Sequence, residues 1–210
     1  MNLARRLMNL PAFALVYERV WRPTSFFLVS GRTMRADRAD AARTLHLDRA
    51  RTVLDIACGP GNFTHGLSAH LAVGGHAVGI DLSVAMLAQA RADNSGPEVS
   101  YVRGDAQRLP FPDGSFDAVC CFGALYLIPD PLAAAREMIR VLAPGGRIAI
   151  STSHRYENWF GRLVTAIFGT IGLRFFEGDV FPKLFTEAGL IDVRQRVHGL
   201  LQYLDASRPA

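Results

Sequence analysis

The strongest constraint on this chain is an apolar run, Thr52–Ala57, that passes into Cys58-Gly59-Pro60-Gly61-Asn62 and then into a helical stretch, 62–73. Parallel strands cannot be joined by a hairpin and need a crossover, so a strand that turns on glycines into a helix reads as the opening of a parallel sheet. The unit recurs. His76–Ile80 reads as a second short strand, closed by Asp81 and followed by helix 83–92. Val99–Arg103 is a third, ending in Gly104-Asp105. Phe116–Phe122 is a fourth and is nearly all apolar, as a strand buried on both faces should be. Helix 131–142 stops at Pro144-Gly145-Gly146, and Arg147–Thr152 is a fifth strand. Helix 181–188 and strands near 190–198 and 199–205 complete an α/β fold. The expected architecture is a doubly wound seven-stranded sheet, mostly parallel with an antiparallel last strand.

Two stretches stand outside this core. Residues 1–50 form an arm or substrate cap, with an amphipathic helix over 3–21, an apolar loop Pro23–Gly31 and a polar helix over 34–46. Residues 153–180 form a lid insertion, within a main domain of 51–210 that makes one globular unit with the arm. Charge follows the same division. Residues 1–51 hold ten arginines against four acids, whereas the rest holds 13 bases against 15 acids. A basic arm on a mildly acidic body argues for a local contact and against a broad nucleic-acid surface. Arg5 and Arg6 precede an apolar run, but Asn9 interrupts it, and Glu18 and Arg19 follow without a small-residue cleavage site. No window reaches the roughly 18 apolar residues of a spanning helix. The expectation is a cytoplasmic protein whose three cysteines are reduced.

The glycine loop has no third glycine at a phosphate position and no lysine, so neither a dinucleotide fingerprint nor a P-loop is present. Asp55 stands four residues before Gly59 instead. A carboxylate there would repel a pyrophosphate and suit a ligand with positive charge. Asp81, 20 residues after Gly61, is placed to accept from both ribose hydroxyls. Asp105 could accept from an adenine amino group. Each acid alone could be an ordinary turn residue. Together with the loop they describe a nucleoside site for a cationic, phosphate-poor ligand, with no metal ligand set.

Those residues carry a resemblance. Val53-Leu54-Asp55-Ile56-Ala57-Cys58-Gly59-Pro60-Gly61-Asn62 resembles motif I of class I S-adenosylmethionine-dependent methyltransferases, and Val78-Gly79-Ile80-Asp81-Leu82-Ser83 with Met86 and Ala90 is similar to their second motif. Gly104-Asp105-Ala106-Gln107-Arg108-Leu109-Pro110-Phe111, Phe116-Asp117-Ala118-Val119 and Arg140-Val141-Leu142-Ala143-Pro144-Gly145-Gly146 resemble the later ones. The match spans about 51–152 and is nearest the small-molecule branch that includes ubiquinone and menaquinone C-methyltransferases. It implies a Rossmann-like fold and S-adenosyl-L-methionine as cofactor. Loop 57–61, with Ala57, Gly59 and Gly61, would wrap the methionine moiety, Asp81 would bind ribose, and Leu82 and Met86 would flank adenine. Asp105 and the Ala106 amide would read the adenine edge, and the Phe122 backbone would meet the amino-acid end. Met86 as helix core and Asn62 as helix cap rather than cofactor contact are the plain alternatives. Ala57 stands where many members have glycine, which fits if its backbone angles are ordinary.

Methyl transfer from a sulfonium is an in-line displacement driven largely by alignment, and a base is needed only for a protonated acceptor. His154 is the candidate base, with Tyr126 and Tyr156 as acceptor contacts, and a solvent-facing loop histidine is the plain alternative. The fourth strand ends Cys120-Cys121-Phe122-Gly123-Ala124, without the Asn/Asp-Pro-Pro-aromatic motif of nucleobase amino methylation, so nucleic acid is not an expected partner. Trp159, Leu163, Ile167 and Ile171 share a helical face and, with the arm, could roof an apolar pocket or rest on anionic lipid beside Arg5, Arg6, Arg19 and Arg22. The expected acceptor is a small, apolar, quinone-, phenol- or lipid-like molecule, methylated at oxygen or carbon. A cofactor-binding regulatory or assembly module is the alternative from another class, and a dinucleotide oxidoreductase is a third.

Overall fold

The computed structural model describes Gly31, 33–170 and 173–210. The helix expected over 3–21, nearly all of the loop expected over 23–31, and Ile171 of the lid fall outside the described residues. The elements run α1 (Met34–Thr44), β1 (Thr52–Ile56), α2 (Asn62–Ser68), β2 (His76–Asp81), α3 (Val84–Asp93), β3 (Val99–Arg103), β4 (Phe116–Phe122), α4 (Pro131–Val141), β5 (Leu142–Ser153), α5 (Trp159–Gly169), α6 (Val180–Glu187), β6 (Ile191–His198) and β7 (Leu201–Ser207). A single 3-10 turn, Leu125–Leu127, lies between β4 and α4.

One seven-stranded sheet has the order β3-β2-β1-β4-β5-β7-β6. All pairs are parallel except those of β7, which inserts antiparallel between β5 and β6. The strand order reverses between β1 and β4, and the carboxyl ends there form the crevice in which open α/β sheets take ligands. The seven-stranded, mostly parallel reading is therefore observed.

Two boundaries differ from the sequence reading by five residues, and others by only one or two. α2 ends at Ser68 rather than 73, because the Ser68 hydroxyl donates to the His65 carbonyl (2.9 Å) and the chain then turns through Gly74. β5 begins at Leu142 rather than Arg147: Leu142 already pairs with Phe116, and the register shifts before Ala118 meets Arg147. Pro144-Gly145-Gly146 is thus an irregularity inside a paired strand.

Alternate residues of the central strands serve two cores, which is why these strands lack polar faces. Leu54, Ile56, Val119, Cys121, Ile148 and Ile150 pack under Met138, Phe181 and Phe185. Val53, Ala118, Cys120 and Ala149 pack under Leu45, Leu47, Phe63 and Leu67. Each large side chain taken fully out of water contributes about 1.5–3 kcal/mol. At the opposite end of the sheet from the crevice, the Asp117 carboxylate accepts from the backbone N–H of Arg51 (2.8 Å) and Thr52 (2.9 Å), and Asp117 N–H donates back to Thr52 Oγ1 (3.0 Å). That exchange sets the β1–β4 register.

α4 also anchors the loop after β3. Arg140 donates to both Glu137 carboxylate oxygens (2.7 Å each), to Asp113 (2.7 Å) and to the carbonyls of Leu109 and Phe111. Leu109 N–H donates to Glu137 Oε2 (2.7 Å). These bonds from Arg140, and after them the Leu109 amide, hold the Glu137 carboxyl below its ordinary pKa, against the opposing effect of burial. A lowered folded pKa means that the unfolded chain binds more protons in acid, so this contribution is present at neutral pH and is lost as pH falls through the carboxylate range. Denaturant titrations at neutral pH and near pH 4 should accordingly show a smaller acid-induced loss of stability in Glu137→Gln than in the parent chain.

Candidate functional site

The loop after β1 is built from left-handed backbone. Ala57, Gly59 and Gly61 have φ of +57°, +56° and +82°. Gly61 is required by contact as well as by angle, because a Cβ there would collide with the Tyr101 ring, whose hydroxyl donates to the Gly61 carbonyl (3.2 Å). Gly59 lines a cavity, and nothing lies within 4 Å of where its Cβ would stand, so a side chain would take up ligand space. Ala57 corrects an expectation: its backbone is not ordinary. An L-residue at positive φ costs about 1–2 kcal/mol. The strain is held by Ala57 packing on the core and by Cys58 N–H donating to the Ile80 carbonyl (3.1 Å).

The cavity has a volume of about 660 Å³ and lies at the carboxyl ends of β1, β2, β3 and β4. Asp81 forms one side. Its Oδ2 accepts from Gly59 N–H (2.9 Å) and its Oδ1 from Ser83 N–H (2.8 Å), so the loop after β1 and the start of α3 aim one carboxylate. Asp105 lines the cavity too, beyond the end of the neighbouring β3, and its Oδ1 accepts from Gln107 N–H (2.9 Å). Ile80, Leu82, Met86, Leu127, Ile128 and Phe122 give the cavity an apolar lining, in which Leu82 is half exposed.

Of the residues singled out in the sequence, Ala57, Gly59, Asp81, Leu82, Met86, Asp105, Ala106 and Phe122 meet at this cavity. Met86 is also only 3% exposed, so it is both helix core and cavity wall. Asp55 does not line it. That carboxylate is 3% exposed and accepts from Thr64 Oγ1 (2.6 Å), with the Cys120 thiol at 3.8 Å, so it binds β1 to α2 beneath the loop. Asn62 neither lines the cavity nor caps α2, whose N-cap is Gly61. Gly61 shapes the loop from behind.

His154, Tyr126 and Tyr156 also lie off the cavity wall. His154 follows β5, with its ring edge-on to Tyr156 at 4.8 Å, and Tyr156 Oη donates to the Gly199 carbonyl (2.8 Å). His154 Nδ1 is buried without a hydrogen-bond partner among the described residues, and burial lowers the ring's pKa, keeping it neutral. Burial, and then the Asp55 carboxylate, push the Cys58, Cys120 and Cys121 thiols up, so none is a thiolate nucleophile. No group of His, Cys, Asp and Glu that could hold a metal occurs among the described residues.

Several lining residues carried no signal. Gln107 is drawn in by its place two residues after an acid in a turn, and Leu127, Ile128 and Pro129 by the 3-10 turn after β4. On the other sheet face, Tyr203 Oη donates to the buried Asp37 (2.9 Å), in a small polar pocket that shares Phe122 with the cavity. This pairing joins residues 166 apart in sequence, which no local pattern reveals.

The cavity has the size of a small-molecule site, with two braced acids, an apolar slot and an open glycine wall. Among the described residues Arg103 is its one basic lining residue, a donor set unlike that of a phosphate cradle. These features fit an adenosyl ligand with a positive charge. Residues 54–150 match the methyltransferase domain family. The chain is 32% identical over 173 residues to the demethylmenaquinone methyltransferase of Lactococcus lactis subsp. lactis (strain IL1403), covering 70% of this chain and 69% of that one. It is 36% identical over 167 residues to the enzyme of the same name from Staphylococcus aureus (strain JH9), covering 68% and 69%. Among solved structures, the methyltransferase bound to the Haloferax volcanii Trm112 methyltransferase activator superposes with a TM-score of 0.72 at 21% identity, over 95% of this chain and 97% of that one. An Aquifex aeolicus SAM-dependent methyltransferase superposes at 0.68 and 18% identity, over 94% and 97%. The chain belongs to the class I S-adenosylmethionine-dependent methyltransferases. S-adenosylmethionine is its cofactor, which sets aside the dinucleotide reading.

Ala57→Gly relieves about 1–2 kcal/mol of left-handed strain against an entropic cost of about 0.5–1 kcal/mol. Urea unfolding should therefore find the glycine variant more stable by about 0.5–1 kcal/mol.

Proposed function

We propose that this methyltransferase acts on a small apolar acceptor bearing a phenolic or quinol-type hydroxyl, and methylates it at carbon or oxygen. The observation that carries the cofactor half of the reading is the Asp81 carboxylate, held by the Gly59 and Ser83 amides at the cavity wall. In that orientation Asp81 accepts from the ribose hydroxyls. Leu82 and Met86 enclose the adenine with Ile128, Asp105 and the Ala106 amide read its edge, and Ala57, Gly59 and Phe122 lie along the methionine end. S-adenosylmethionine supplies, when bound, a methyl group on a positively charged sulfur. The chain's own work is to align the acceptor in line with that methyl and to exclude water.

The acceptor half rests on other observations. Two relatives carry the name demethylmenaquinone methyltransferase. The insertion 153–180 flanks the acceptor side in this reading. Trp159, Leu163 and Ile167 recur at four-residue steps on α5 and are 77%, 49% and 56% exposed, an apolar stripe that suits a lipid-embedded acceptor approaching from a membrane surface. No helix among the described residues is long and apolar enough to cross a membrane. In this reading the acceptor lies outside the wall of the cofactor cavity, on the side of the insertion. Tyr126 and Tyr156 contact it there, and His154, neutral at the end of β5, takes the proton of its hydroxyl.

Two measurements test this reading. Asp81→Ala removes the acceptor of two ribose hydrogen bonds, each about 1.5 kcal/mol or more because the acceptor is charged, so S-adenosylhomocysteine affinity should fall about 100-fold or more by calorimetry. Demethylmenaquinol offered with the cofactor should gain one methyl by mass spectrometry. His154→Gln should lower kcat by about 100-fold with little change in KM, the loss typical of a removed general base; an unchanged kcat removes His154 from the reaction.

A further inference from the structure

We infer that Gln107 is a positioning residue for cofactor recognition: its amide locks the Asp105 carboxylate and ties it to Asp130, next to the cavity-lining residues Leu127, Ile128 and Pro129. The inference rests on the proposed reading of Asp105 as the adenine acceptor. Gln107 Nε2 bridges both Asp105 oxygens, at 2.9 Å to Oδ1 and 3.1 Å to Oδ2, and Gln107 N–H donates to Oδ1 as well. Three donor contacts from one residue fix the plane of a carboxylate that would otherwise turn about its terminal bond.

The amide is itself held. Gln107 Oε1 accepts from Asp130 N–H at 3.0 Å. A backbone N–H can only donate, so the amide oxygen faces Asp130 and the NH2 faces Asp105, which leaves no flipped alternative. Asp130 is in turn rigid, because its carboxylate caps α4 through Ala133 N–H (2.9 Å) and Pro131 follows at the first helical position. Leu127, Ile128 and Pro129, just before it, line the same cavity as Asp105. One side chain thus sets both the direction of the acid and the position of this second stretch of wall.

A carboxylate only accepts, so a fixed Asp105 favours a purine with a 6-amino donor and rejects one with a 6-oxo acceptor. A carboxylate free to turn away distinguishes them less. This separates positioning from a merely structural role, which would weaken both ligands alike. The test is calorimetric titration of the full-length protein and two variants with S-adenosylhomocysteine and with its hypoxanthine counterpart, S-inosylhomocysteine. The parent should prefer the amino ligand. In Gln107→Ala affinity for the amino ligand should fall about tenfold, the loss expected when bonds to a charged group no longer hold it, with the oxo ligand little changed. In Gln107→Glu two carboxylates face each other, so the preference should be lost at about pH 7.5 and return near pH 5.5 as one shared proton restores a donor. That second variant decides the matter even where the alanine variant fails to fold in a thermal melt.

Equal loss for both ligands in Gln107→Ala, an unchanged ratio, or no recovery of the ratio in acid for Gln107→Glu would each overturn the inference. A parent protein that binds S-adenosylhomocysteine without preferring it over the oxo analogue instead overturns the adenine reading of Asp105, and the inference with it.

Discussion

The turn from β1 into α2 must be made in five residues, Ala57 to Gly61, three of them with left-handed backbone. Both flanking elements are buried and cannot move to ease it, because Val53, Leu54 and Ile56 are fully buried and Phe63 and Leu67 nearly so. The turn leaves Gly59 N–H pointing at the end of β2, where Asp81 accepts it. Loop, Asp81 and the start of α3 are one hydrogen-bonded unit for that reason. Beneath it Asp55 joins Thr64 of α2, so the loop is braced from below by one acid and along its rim by another.

That arrangement decides the electrostatics of the site. Asp81 and Asp105 both line a largely apolar cavity, and among the described residues no array of cations lines it with them. A pyrophosphate would meet carboxylates where it needs donors, while a neutral nucleoside carrying a sulfonium meets acceptors for its hydroxyl and amino groups. Asp55, deeper still, acts with burial to keep the neighbouring thiols protonated. Its influence is on the interior of the loop rather than on the ligand directly.

Much of this was legible along the chain. The two-sided burial of β4 showed as an unbroken apolar run, and Asp81 and Asp105 lie at strand ends that periodicity alone locates. Ala57 misled because a sequence reports the residue and not its φ. Asn62 and Asp55 misled because a motif gives proximity in the chain, whereas the strand's alternation turns Asp55 inward to Thr64 and the helix begins at Asn62 without using its side chain as a cap. His154 follows the right strand, yet β5 carries it toward Phe176 and Gly199–Leu200 instead of the cavity wall.

By itself the sequence determined the parallel sheet, the place of the glycine turn and the two acids beyond it, since each depends on local patterning: apolar runs, backbone permissiveness, and acids at strand ends. Tertiary structure alone decided which carboxylate lines the cavity and which is consumed inside. It also decided that Gln107 is clamped between Asp105 and Asp130, and that Tyr203 meets Asp37 across 166 residues. The physical reason is range. A strand or a turn is specified by a few neighbouring residues, but the direction of a buried side chain is set by whichever donors the whole fold brings within 3 Å or so of it.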